Sequence, residues 1–315
     1  MDFNTFIGKA WHEHATDPAA VALRLGEGVA LVADEPQLAR LAELAHHVHG
    51  EHLGDWRAGI AFVERLATLP AYAPDGVSGQ ALRRCARSLA LSEGPGGAAA
   101  KLDALSASDR IRVGAMAAAN LAERDTGRAQ RLLQDALEQA DRSGLGAADP
   151  MNRALAVTSN NLAATLEHKA DRSPNERELM ILAAQAARRY WERAGTWLET
   201  ERAEYRLAMT WLQAGDLARS REHAQACLDI VAANGAVALE RLFGWEALGK
   251  VEHAAGDRAA HAQALERARE AYAELDEADQ AWCAASLEAL AVLGAPAVAP
   301  ANAPVNAPLI APLTT

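Results

Sequence analysis

Histidine is the residue of this 315-residue chain best suited to chemistry, and its ten copies are unevenly spread. His12 and His14 lie near the N-terminus, and His46, His47, His49 and His52 follow in one short stretch. An imidazole offers a metal ion a neutral nitrogen donor. His49 and His52 are one helical turn apart and could share a metal, and His46 and His49 have the same spacing, so His46, His49 and His52 are the candidate ligands, taken in pairs. The strings of helical zinc proteases are absent. Val48 to His52 approaches HxxEH but lacks its first histidine. His12 and His14 are two apart and are expected on different sides of their helix. Spacing supplies no third ligand, so the expectation is no metal and no cofactor. Metal binding or catalysis by the histidine cluster is kept as a second alternative.

Other catalytic constellations are missing. No GxSxG elbow occurs, and Cys85, Cys227 and Cys283 form no CxxC pair and have no histidine beside them in one element. Gly94-Pro95-Gly96-Gly97 with Lys101 lacks the GK[ST] ending of a phosphate loop and follows no strand pattern. Glu199 with Glu201, and Asp276, Glu277 and Asp279, stand near helix starts, where carboxylates complement the dipole. Arg83, Arg84 and Arg87 read as a solvated helix face. The chain is therefore expected not to be an enzyme.

The elements that would position these side chains are helices. Ala, Leu, Glu and Arg dominate, aromatics are 5%, and no segment alternates like a half-buried strand. Phe3, Phe6, Ile7 and Trp11 share one face of a first helix. Thr16-Asp17-Pro18 and Asp34-Glu35-Pro36 open the second and third, the third ending at Gly54, and Asp55 caps a fourth that closes at Pro70. A further helix spans Gln80 to Leu91. Farther on, the pattern repeats. Gly215-Asp216 is followed by Gly256-Asp257 after 41 residues, and Ala208 and Gly249, Cys227 and Ala268, and Asn120 and Asn161 are spaced alike. The longer turn at Ala170 to Asn175 absorbs an insertion of four. A helix over Glu277 to Leu293 caps the array.

Trp245-x-x-Leu248-Gly249, with Gly256-Asp257 at its turn, resembles the opening of the tetratricopeptide (TPR) pattern. Asn161-Leu162-Ala163-x-x-Leu166 resembles the longer-period form of kinesin-light-chain-type repeats and bacterial regulators. Glu252 stands where the pattern has tyrosine, His261 where it has alanine, and Ala273 where it has proline; a HEAT-like array is the structural alternative. The resemblance implies an all-α fold, a right-handed superhelical α-solenoid of about seven helix-turn-helix repeats. One domain is expected over residues 1–293, less regular over 1–108 and clearer over 109–275, with the cap at 277–293 and a disordered Ala/Pro-rich tail at 294–315.

The resemblance also implies binding of a protein or peptide on the concave face of the first helices. At helical spacing that stripe holds Arg202, Tyr205 and Met209, then Phe243, Glu246 and Lys250 with His253 adjacent, and Asn160 and His168 in the preceding unit. The expected function is a non-catalytic scaffold or adaptor. The first alternative is a sensor of a small molecule or signal peptide acting through a partner. A net charge of −11 and a pI near 5.4 argue against nucleic acid. No apolar run reaches membrane-spanning length, and Met1 to Trp11 lacks a basic start followed by an apolar run, so a soluble, cytoplasmic protein without membrane contact is expected. The sequence gives no oligomeric state.

Overall fold

Aspartate starts most of the helices. Asp2, Asp17, Asp34, Asp55, Asp125, Asp216, Asp257 and Asp276 each accept the backbone N–H three residues on. Such a cap satisfies one orphan donor and is worth about 1 kcal/mol. Ser173 and Thr196 do the same within reciprocal capping boxes closed by Glu176 and Glu199. Part of the acidic excess is thus spent on helix starts.

The computed structural model describes residues 1–94 and 102–294. Most of the Gly94–Lys101 loop and the Ala/Pro-rich tail lie outside the described residues, apart from Gly94 and Gly294. Among those described, all regular structure is helical: α1 (Phe3–Glu13), α2 (Pro18–Val29), α3 (Glu35–His47), a π-helical turn (Val48–Leu53), α4 (Trp56–Leu66), α5 (Val77–Glu93), α6 (Ala107–Leu121), α7 (Thr126–Arg142), α8 (Pro150–Glu167), α9 (Pro174–Ala194), α10 (Trp197–Ala214), α11 (Leu217–Ala233), α12 (Ala238–Ala254), α13 (Arg258–Ala273) and α14 (Glu277–Leu293). None is long and apolar enough to cross a membrane. The third helix expected to run unbroken to Gly54 instead changes to π geometry at Val48.

The chain divides into two compact units, Met1–Thr158 and the residues from Ser159 onward. In the first, α1, α2 and α3 pack on one another, α3 and α4 pack on α5, α5 on α6 and α6 on α7. Phe3, Phe6, Ile7, Leu25, Leu38, Leu41, Leu44 and Leu66 are almost wholly removed from water at its core.

In the second unit each helix from α9 to α13 packs on the next, and α14 covers α12 and α13. Gly215 and Gly256 end their helices at φ +84° and +77°, a left-handed conformation that glycine adopts without steric cost. The 41-residue offset is also an offset in space. Tyr205 donates its hydroxyl to Glu246, and Arg172 donates to Gln213, each pair separated by 41 positions. Ser220 bonds the Ala208 carbonyl, and 41 residues later His261 bonds the Gly249 carbonyl. The departures from the TPR pattern are filled locally: Glu252 makes a two-pronged ion pair with Arg221 at 2.6 and 2.7 Å, and His261 is buried.

Candidate functional site

Two groups of side chains, one in each unit, are built beyond what packing requires. The first rests on the π turn. In an α-helix His47 and His52, five apart, would point about 140° from each other. The wider π turn brings positions i and i+5 together, and π turns often mark functional sites. This one is fixed from several sides. Gly54 ends it at φ +63°, and Arg124 donates to the carbonyls of Glu51 and His52 at 2.7 and 2.8 Å. Trp56 Nε1 donates to the Gly50 carbonyl. A Cβ at Gly50 would lie 2.3 Å from Asn120 Oδ1, so only glycine lets α6 come this close.

The result is a triangle of imidazoles. Ring centres of His14, His47 and His52 are 4.9, 5.0 and 4.8 Å apart, with the Trp11 indole against His14 and His47. One ring nitrogen from each lies within 4.8 Å of the others. His47 Nε2 and His52 Nε2 are 3.1 Å apart. Glu51 holds His47 Nδ1 at 2.9 Å, and the Trp11 carbonyl holds His14 Nδ1. Burial lowers the pKa of His14, and burial followed by the charge of His47 pulls His52 down to about 4. Against the cost of its own burial, His47 holds Glu51 at about 2.

The histidines expected to share an ion are separated. His46 is buried and joins Ser88 and Asn120 in a polar network between α3, α5 and α6. Burial drops its pKa to about 4. His49 packs beside Gly59 and its Nδ1 has no hydrogen-bond partner. Only His52 of that set joins the triangle. α-Helical spacing does not bring His47 to His52, and the long stretch of chain between His14 and His47 hides their contact in the sequence.

The second group is a small cleft between α10, α12 and α14. Glu201, Arg202, Tyr205, Leu239, Glu240 and Phe243 line it beside Trp282, which stands partly exposed at its rim. The rings of Tyr205, Phe243 and Trp282 run edge to face at 5.9 and 5.5 Å. Arg202 pairs with Glu240 at 2.7 Å. Glu201 is 1% exposed, and its carboxyl lies beside the Glu240 carboxyl and the Cys227 thiol. Burial, then the neighbouring Glu240 carboxylate, pushes its pKa up to about 9.

No protein family, curated protein or solved structure matches this chain.

The residues expected on a partner-binding stripe are brought together in part. Arg202 and Tyr205 meet at the cleft. Glu246 is buried, taking the Tyr205 hydroxyl at 2.8 Å and the Lys250 ammonium at 2.7 Å. Met209 is buried against Ala208, Ala224 and Ala247, so it packs the helices together instead of lying open. His253 is exposed with its ring 5.5 Å from His261. Asn160 is half-buried beside Asn161, and His168 is exposed at the end of α8, bonding the Ala164 carbonyl. Glu201, Leu239, Glu240 and Trp282 were not expected here. Nothing in the sequence marks Glu201 or Glu240, since acids near a helix start are ordinary there.

Proposed function

We propose that this chain is a non-catalytic adaptor of tetratricopeptide type. Its helix pairs stack as a right-handed superhelix and bind a protein or peptide along the first helices α10 and α12, beside the capping helix α14. The single observation that carries the reading is a pair of buried carboxyl groups, Glu201 and Glu240, served by one guanidinium, Arg202, beneath an aromatic rim. Glu201 keeps its proton at neutral pH because burial and the Glu240 carboxylate disfavour a second charge, and a cationic group entering the cleft would let it ionise and pair. Tyr205, Phe243 and Trp282 add ring faces and edges that suit an ammonium or guanidinium carried on an apolar stem. The cleft is small, so it suits the tip of one side chain, and the rest of the ligand would lie on the neighbouring helices. We therefore infer a peptide or protein segment presenting a lysine or arginine.

Panning a displayed random-peptide library against the full chain tests this. Enriched peptides should share a basic residue. Trp282→Ala should weaken them by roughly 30-fold, the effect of losing an aromatic anchor worth about 2 kcal/mol. Enrichment without a basic residue, or affinity indifferent to Trp282→Ala and Glu201→Gln, would overturn the reading.

A further inference from the structure

We propose that His14, His47 and His52 form a binding site for a divalent transition-metal ion, with zinc as the natural occupant, and that Glu51 and the Trp11 carbonyl orient its ligands.

The donor set fits the ion. Zinc takes imidazole nitrogens at about 2.0–2.1 Å, and tetrahedral geometry then places those nitrogens roughly 3.4 Å from one another. The His47 and His52 Nε2 atoms already stand 3.1 Å apart, and all three donor atoms fall within 4.8 Å. Small ring rotations close the remaining difference. Three imidazoles with no thiolate or carboxylate among the direct ligands favour zinc, copper or nickel over calcium or magnesium.

The surroundings are those that a metal-binding histidine needs. A ligating imidazole commonly passes its second N–H to a carboxylate or a backbone carbonyl, which fixes the tautomer and aims the lone pair. Glu51 does this for His47, and the Trp11 carbonyl does it for His14. Both therefore keep hydrogen on Nδ1 and leave Nε2 free to bind, and His47 Nε2 already faces His52. In the metal-free trio one Nε2–H bridges His47 and His52. Uptake of an ion asks only that His52 carry its hydrogen on Nδ1, so no proton need leave neutral ligands.

The backbone supports the same reading. A π turn costs regular hydrogen bonding, and here it is braced by Arg124, by Trp56 and by the close approach of Asn120 to Gly50. Its geometric consequence is to bring His47 and His52 to one side, facing His14 from α1. All three rings are partly exposed, so an ion can enter and a water can take the fourth position.

The full chain, with no histidine tag, would be titrated with zinc chloride in a calorimeter and, separately, with cobalt chloride in a visible spectrometer. The expected result is one ion per chain with submicromolar affinity, and cobalt absorption bands of tetrahedral strength. Trp11 fluorescence should be quenched by copper, since its ring contacts two of the ligands. His47→Ala and His52→Ala should each weaken zinc at least 100-fold, and Glu51→Gln should weaken it 10- to 100-fold. His12→Ala, an exposed neighbour of His14, should leave it unchanged. Should an alanine variant unfold by circular dichroism, His52→Gln, which keeps bulk and polarity, replaces it. No binding to the wild-type chain, or equal binding by folded wild-type and His52→Gln protein, would overturn the site. Loss that His12→Ala reproduces would assign the ion to other histidines and overturn it too.

Discussion

Glu201→Gln should make the protein more stable and a poorer binder at once. In the folded chain burial and Glu240 raise the Glu201 pKa from the usual carboxylic range to about 9. Unfolded, the same acid titrates near 4.5. Between these values the folded state holds a proton that the unfolded state has released. Stability therefore falls as pH rises, by up to about 1.4 kcal/mol per unit. From pH 4.5 to pH 7 that would reach about 3 kcal/mol. Sharing of the proton with Glu240, and the Arg202 guanidinium nearby, reduce it, so 1–3 kcal/mol is the working range. Glutamine keeps the shape of the side chain, carries no charge, and can donate to Glu240. Urea unfolding of wild type and variant at several pH values from 5 to 9 measures the effect. The variant should gain on the order of 1–3 kcal/mol at pH 7–8 and little at pH 5, while losing affinity for basic peptides. A wild-type stability that does not fall toward pH 9 relative to the variant would refute the account of Glu201.

Gly249→Leu should cost at least about 1–3 kcal/mol by thermal unfolding, because even a Cβ at Gly249 would sit 3.0 Å from Leu290 and 3.4 Å from Ala264. Arg206→Met should cost about 3–5 kcal/mol, since it strips a buried partner from Glu167, which is left with only the Thr210 hydroxyl; chemical denaturation reads it, and Glu167→Gln in the same background should recover part of the loss. Arg124→Ala should loosen the π turn by exposing the carbonyls of Glu51 and His52, which faster amide exchange over residues 48–54 would report. Met209→Ala should lower stability by about 2–5 kcal/mol, as a buried residue does, and a loss confined to peptide binding would contradict its burial.

Much of the fold was legible because its signals are local. Asp17-Pro18, Asp34 before Glu35-Pro36, Asp55, Asp216, Asp257 and Asp276 each begin a helix where the sequence placed one. Gly215 and Gly256 end helices because only their backbone takes the left-handed turn without strain. The 41-residue step was visible as spacing before it was visible as the contact of Tyr205 with Glu246. A cap or a repeat is decided within a few residues, or by copying, and so it is written in the chain itself.

The sites were decided by tertiary contacts. Sequence spacing grouped His46, His49 and His52, yet the folded chain groups His14, His47 and His52, because one π turn adds a residue to the local ring and rotates everything after it. That turn depends on Arg124 and Asn120, about seventy residues away, and no short window holds them together. Likewise Glu201 looked like an acid at a helix start. It became a buried carboxyl that keeps its proton only when α12 and α14 covered it with Glu240, Phe243 and Trp282. Helices follow from short-range backbone energetics, whereas the protonation and partners of a side chain follow from whatever the rest of the chain brings against it.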